Sequence, residues 1–317
     1  MAPVLRLDSV TKRYGQTVAV QDVSFTAEPG RLFGLLGPNG AGKTSTIRMV
    51  TYITTPDAGT ITLGGAPVSP ATQARMGYLP EERGLYRKLK VGEQLEYLAQ
   101  LKGMALGDAR AAIGRWLDRF DAATWTDKRT EELSKGMQQK VQFISTVVHD
   151  PDLVILDEPF SGLDPINADL LVEVIGEMRE AGKTVLFASH RMESVEALCD
   201  DLCLMAGGRA VLQGPIREVK RRYGRDTVSV AFSGDGAWLD PLVDAGAVRT
   251  LSRAEGLATL RLADATPPRS VLEAALAGAA EVDRFEVHEP PLADIFRQAV
   301  AAADGTAPPV PSAAPTA

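Results

Sequence analysis

Cysteine is nearly absent. The 317 residues hold two, Cys199 and Cys203, which excludes a disulfide scaffold. Their four-residue offset misses the spacing of a redox pair or a zinc knuckle, so both read as small buried hydrophobes of a reducing compartment. Histidine is scarce as well, with three in the chain. No window approaches ~18 consecutive apolar residues, so no membrane span is predicted, and no basic start followed by an apolar run marks a signal peptide. Positive charge is in deficit, with 34 Lys+Arg against 41 Asp+Glu and a net charge of −7. That balance argues against holding nucleic acid by bulk electrostatics, although it leaves room for a local basic patch. What is plentiful is apolar material, 45 % of the chain, enough for a large core. At roughly 100–200 residues per domain the length suggests about two domains.

The pattern along the chain is strands alternating with helices, which implies a mainly parallel α/β sheet. Val4–Thr11 and Val18–Phe25 read as strands around a turn at Tyr14-Gly15. Arg31–Leu36 reads as a buried strand and is followed by a helical pattern from Thr44 to about Ile53. Ile61–Leu63 is a short strand. From about 83 to 148 apolar residues recur at helical spacing in Val91–Leu101, Ala109–Phe120 and Gly136–Val148, predicting a helical insertion. Leu153–Leu156 and Thr184–Ser189 are further buried strands, separated by a helix at Ile166–Ala181. Leu202–Met205 and Ala210–Gln213 form a hairpin around Gly207-Gly208. Beyond about 219 the signals restart. Strands at Thr227–Phe232, Leu257–Leu262 and Val282–Val287, with helices at Arg269–Ala277 and Leu292–Ala302, predict a small α+β domain to 302. The segment 303–317 is rich in Ala, Pro, Ser and Thr and reads as a disordered tail.

Gly37-Pro38-Asn39-Gly40-Ala41-Gly42-Lys43-Thr44 fits the phosphate-loop pattern, and Ser45 continues it into the helix. Glycines let consecutive backbone N–H groups curl around phosphates where a side chain would collide. The helix that follows turns its N-terminus and favourable dipole toward them. Lys43 reaches the β- and γ-phosphates, and Thr44 offers a hydroxyl to Mg²⁺. About a hundred residues on, a buried strand ends in Asp157-Glu158, the usual place for a magnesium-organising aspartate. Asp157 would hold Mg²⁺ and Glu158 would polarise the attacking water as general base. Taken alone, that pair is equally an acidic loop start.

With these two elements in place the sequence resembles the ATP-binding subunits of ABC transporters. Leu133-Ser134-Lys135-Gly136-Met137-Gln138-Gln139-Lys140 looks like the family signature, Ser161-Gly162-Leu163-Asp164 like the loop after the catalytic acid, and His190 like the switch histidine. Tyr14 stands where the family stacks an aromatic ring on adenine. The motifs occur in family order across Leu5–Gly214. The resemblance implies a P-loop nucleotide-binding core with an antiparallel β subdomain at its N-terminal end and an inserted helical subdomain, domain 1–218, followed by an accessory domain 219–302. It implies a head-to-tail dimer with a second copy or a paralogous ATPase subunit, each ATP lying between one phosphate loop and the partner's Ser134 and Gly136. It also implies that His190 contacts the γ-phosphate and that transmembrane permease subunits hold the chain on the cytoplasmic face of the cell membrane. Without the set, Ser134 would be an ordinary N-cap, His190 a structural histidine and Tyr14 plain packing.

Three positions depart from the family pattern. Lys135 replaces the first signature glycine and Met137 the usual glutamine. Glu81, in Tyr78-Leu79-Pro80-Glu81, stands where most relatives carry a glutamine. A carboxylate there can ligate Mg²⁺, but it adds negative charge and loses an amide donor. The string from Met76 to Tyr86, with the Ser-Lys-Gly signature, is similar to export ATPases of the sodium-extrusion and drug-export kind, whose small C-terminal domain resembles Lys220–Ala301. The resulting expectation is the ATP-hydrolysing motor of an ABC-type exporter. Two other readings stand beside it. A soluble ATPase of this type acting on nucleic acid or ribosomes is disfavoured by the single phosphate loop, the lack of sustained heptads and the acidic charge. A weakly hydrolysing regulatory subunit is suggested by Lys135 and Glu81 and opposed by the presence of Lys43, Asp157, Glu158 and His190.

Overall fold

The structure, a computed structural model, describes residues 5–82, 84–223, 227–263, 266–278 and 281–303. The expected tail therefore lies outside the described residues from 304 onward. The chain separates into two compact units, Met1–Ile216 and Arg217–Ala317.

The first unit opens with a hairpin of β1 (Leu5–Tyr14) and β2 (Thr17–Ala27). Strand β3 (Leu32–Leu36) leads into helix α1 (Lys43–Val50), and β4 (Ala58–Leu63) and β5 (Ala66–Pro67) complete an antiparallel sheet of order β2-β1-β4-β5. Next come β6 (Met76–Leu79), then α2 (Val91–Leu101), α3 (Leu106–Arg119) and α4 (Lys135–Val147), the helical insertion. The core then resumes with β7 (Leu153–Asp157), α5 (Pro165–Glu180), β8 (Thr184–Ser189), α6 (Met192–Leu198), β9 (Asp201–Ala206) and β10 (Arg209–Pro215), after which α7 (Ile216–Arg222) starts at the last residue of this unit and runs on in the second.

The core sheet has the order β10-β9-β3-β8-β7-β6. Its neighbours pair in parallel except β10 against β9. Every residue of β3, β7 and β8 is buried, as expected of continuous apolar strands covered on both faces. The antiparallel sheet shares one apolar cluster with it, in which Leu7, Val20 and Phe25 pack with Leu35, Ile47, Ile155 and Met205. Phe25 stacks on Phe33 with centroids 4.7 Å apart, worth about 1 kcal/mol beyond area burial. In the insertion Phe120 packs with Phe143 and Trp116. Cys203 lies in the core cluster, and burial pushes its thiol up to about 12 and that of Cys199 upward too.

Register places the site. Leu36 pairs opposite Ser189, Asp157 opposite Ala188, and Leu79 opposite Leu156. Because these strands are parallel, the loops after β3, β6, β7 and β8 all leave from one sheet edge. In open α/β sheets ligands bind at that carboxyl edge.

The second unit has β11 (Thr227–Ser233), α8 (Asp240–Asp244), β12 (Val248–Ala254), β13 (Leu257–Leu262), α9 (Pro268–Ala277), β14 (Glu281–His288) and α10 (Leu292–Ala303). Its antiparallel sheet runs β12-β13-β11-β14. Val228, Val230 and Leu260 pack against Trp238, Val271 and Ala275. Among the described residues no helix is long and apolar enough to cross a membrane.

Candidate active site

The loop between β3 and α1 is built on glycines that nothing else could replace. Gly37 has φ +152°, and a Cβ there would sit 2.3 Å from the carbonyl oxygen of Met205. Gly42 has φ +103°, and its Cβ would sit 2.5 Å from the carbonyl of Ala19. Both backbones are pressed against neighbouring strands, leaving the other side of the loop to face a cavity of about 590 Å³. Residues 38–45 form one wall, including the first turn of α1, whose N–H groups have no intrahelical acceptor. Glu81, Asp157, Glu158 and His190 line the cavity too, as do Thr17, Val18, Ala19, Gly207 and Gly208.

Lys43 lies within this cavity and is buried. Its Nζ donates to the carbonyls of Gly37 at 2.5 Å and Pro38 at 3.2 Å. Burial lowers its pKa, while Glu158, Asp157 and Glu81 pull it back up. Asp157, at the end of β7, is only 4 % exposed. Burial first, then the charges of Glu81 and Glu158, raise its carboxyl to about 6 against the opposing pull of Lys43.

Glu158 is held at a single orientation. Its backbone adopts φ +49°, an uncommon left-handed conformation for a non-glycine residue, and its N–H donates to the Ala188 carbonyl at 3.0 Å. One carboxylate oxygen, Oε1, accepts from the His190 backbone N–H and lies against His190 Nδ1, both at 2.6 Å. The other accepts from Ser189 Oγ at 2.9 Å. Ser189 Oγ in turn accepts from Arg191 N–H at 3.0 Å. His190 lines the cavity and remains half exposed.

The remaining sequence candidates lie outside this lining. Ser134 caps α4, its Oγ accepting from Met137 N–H at 3.2 Å. Asp164 caps α5, its Oδ1 accepting from Asn167 N–H at 3.0 Å, and these bonds hold its carboxyl below the usual range. A Cβ on Gly136 would come within 3.6 Å of the Gly162 carbonyl, so the loop after Glu158 lies against the start of α4. Tyr14 ends β1 at 45 % exposure, with the Lys12 ammonium 5.6 Å from its ring centroid. The wall beside it is formed by Thr17–Ala19 instead, which sequence reasoning missed together with Gly207 and Gly208. The only sequence signal for the latter was the Gly-Gly hairpin turn.

Residues 20–161 match the ABC transporter family, and residues 214–300 match the ATP-binding protein DrrA1-3-like, C-terminal domain. The uncharacterized ABC transporter ATP-binding protein YhaQ of Bacillus subtilis (strain 168) is 44 % identical over 94 % of this chain and 99 % of its own length. The Nod factor export ATP-binding protein I of Cupriavidus metallidurans is 36 % identical, over 77 % of this chain and 80 % of its own. A solved ATP-binding subunit of an ABC transporter superposes with a TM-score of 0.66 at 29 % identity, covering 69 % of this chain and 93 % of that one. The chain belongs to the ABC transporter ATP-binding proteins. It is an ATP-binding cassette that hydrolyses ATP to drive a membrane transporter.

The cavity also suits a divalent cation of one particular kind. Among the described residues no group of three or more His, Cys, Asp or Glu side chains stands close enough to hold a metal by itself. Mg²⁺ takes few protein ligands and completes its shell with water and substrate phosphates, so one buried carboxylate and one hydroxyl on the same cavity fit it better than they fit Zn²⁺ or Ca²⁺.

Proposed function

We propose that this chain is the motor of an exporter and that its working site is the cavity between the phosphate loop and Glu158. The observation that carries the site assignment is the convergence of four loops at one sheet edge, with Glu158 fixed by Ser189 and His190 opposite Lys43. ATP phosphates would lie against the backbone of residues 37–45. Lys43 would trade its contacts with the loop carbonyls for the β- and γ-phosphates. Glu158 would take the proton of the attacking water as general base, with His190 orienting that water and contacting the γ-phosphate. Thr44 and Asp157 would hold Mg²⁺, with Glu81 beside them; the ion supplies charge neutralisation at the transferring phosphoryl group.

Ser134 and Gly136 head a helix whose N-terminus suits an anion, and they do not line this chain's own cavity. They would meet the γ-phosphate of an ATP held by a second copy or a paralogous subunit in a head-to-tail dimer. Asp164, on the loop against α4, would lie at that same dimer contact and help bind the nucleotide there, and Tyr14 would stack on adenine. Domain 1–218 is then the cassette and 219–302 an accessory module.

Export is supported by the export names of relatives. The helical insertion exposes Tyr86, Tyr97, Leu101 and Leu106, and Tyr86 and Tyr97 meet edge to face at 6.3 Å. Such an apolar patch marks an interaction surface. Here it would dock cytoplasmic segments of a transmembrane permease and hold the chain on the cytoplasmic face of the membrane. The test is co-purification from detergent extracts of cells expressing the chain with a candidate permease. The wild-type chain should be retained and Leu101→Asp lost. A chain that is never recruited to any permease contradicts the reading.

A further inference from the structure

Helix α4 carries polar side chains on the face turned toward the core sheet. Gln139, Gln142 and Thr146 recur three and four residues apart, the spacing of a single helix face, and all three are buried. Gln142 spends its amide nitrogen on one target. Nε2 donates to the carbonyls of Pro80 at 3.3 Å and Glu82 at 3.2 Å, the residues on either side of Glu81. Its Oε1 is buried without a hydrogen-bond partner among the described residues. Gln139 repeats the arrangement one turn earlier, with Nε2 donating to the Pro159 carbonyl, next to Glu158, at 3.0 Å. A buried amide with one orphaned end calls for a reason, because an apolar side chain of the same size would leave no unsatisfied oxygen. The reason visible here is the pair of donors that grips the backbone around Glu81.

We propose that Gln142 is a positioning residue for hydrolysis. It ties the backbone that carries Glu81 to the helix whose other end carries Ser134 and Gly136, so the place of Glu81 in the cavity follows α4. Gln139 does the same for the backbone beyond Glu158. The inference rests on the roles given above to Glu81 and to the start of α4. It makes the signature helix a strut that links an event at its N-terminus to two acidic side chains of the same chain's cavity.

The variant that tests it is Gln142→Met, which keeps length and volume and removes both donors. Three readouts are needed, on the full chain. Hydrogen exchange at residues 80–86 should rise while exchange in β7 stays as in the wild type. ATP affinity should stay within about twofold while kcat falls about tenfold or more, the scale on which a small misplacement of reacting groups is felt. In a double-mutant cycle with Glu81→Ala, the loss caused by Gln142→Met should largely disappear, because a residue acting through Glu81 has nothing left to position. Unchanged exchange at 80–86, or losses that simply multiply in the double variant, overturn the proposal. If Glu81→Ala alone hydrolyses at the wild-type rate, the role of Glu81 fails, and the exchange readout then decides whether Gln142 positions the loop. If Gln142→Met does not fold, Gln142→Leu is measured in the same three ways.

Discussion

Ser189→Ala isolates the support behind Glu158. The Ser189 hydroxyl closes β8, is 2 % exposed, and makes two bonds, donating to Glu158 Oε2 at 2.9 Å and accepting from Arg191 N–H at 3.0 Å. The substitution removes one oxygen and leaves the carboxylate with its two contacts from His190. A hydrogen bond to a charged group contributes roughly 1.5–3 kcal/mol when the partner is sealed from water. The Glu158 side chain is 12 % exposed, so water can replace part of the bond, and the net loss should be about 1–2 kcal/mol. Urea denaturation, reading the transition of the first unit, should show the midpoint falling at an unchanged slope. Turnover should fall as well, because the proposed base, free to rotate, spends less time aimed at the water. A midpoint equal to that of the wild-type chain, with equal turnover, would refute the claim that Ser189 fixes the carboxylate.

Three further outcomes follow from the same geometry. Gly42→Ala forces a Cβ onto the Ala19 carbonyl at φ +103°, costing about 1–3 kcal/mol of strain and displacing the loop; nucleotide titration should show ATP affinity sharply reduced, and wild-type affinity would count against it. His149 is half-buried beside the Met76 carbonyl, and burial, with help from the Lys102 charge, lowers it to about 4. Since the unfolded histidine titrates near 6.5, the unfolded state binds more protons between those values, so stability falls as pH drops from ~6.5 toward ~4. Discounted for partial exposure, the wild-type chain should lose on the order of 1–2 kcal/mol relative to His149→Leu across that window, measured as the difference of two denaturation series; a flat difference would deny it. In a Cys199→Ala background Cys203, buried and raised by that burial, should resist a thiol reagent in the native chain and react on unfolding, since the thiolate is the nucleophile; fast native labelling would contradict its placement.

How far the fold was legible depended on how much pattern each element carried. Val91–Leu101, Thr184–Ser189 and Leu257–Leu262 have the bounds their periodicity or apolar run suggested. Strand β6 was read only as part of a motif. Its four residues include Gly77, whose missing side chain lets α4 approach, since a Cβ there would sit 2.2 Å from the Thr146 carbonyl, so a tertiary contact rather than a local preference explains that residue. Helix α6 buries only Val195, and β12 only Val248, so neither shows a stripe or an alternation. In the site, the cavity-lining Lys43, Asp157 and Glu158 could be named from type and spacing, and Glu81 and His190 from the family resemblance. The cavity walls at Thr17–Ala19 and Gly207–Gly208 could not, because they are brought there from segments distant in sequence from the phosphate loop and from each other. The Gln142 bonds were likewise hidden, since their acceptors are carbonyls some sixty residues away in sequence.

The most direct test of the central claim is ATP turnover by Glu158→Gln, which keeps the size of the side chain and its hydrogen-bonding reach but removes the proposed base. The purified variant should bind ATP with wild-type affinity and hydrolyse it at least about a hundredfold more slowly, the scale of a lost general base, while an ATP-bound dimer accumulates on gel filtration. Hydrolysis at the wild-type rate would show that the carboxylate held by Ser189 and His190 is not the base.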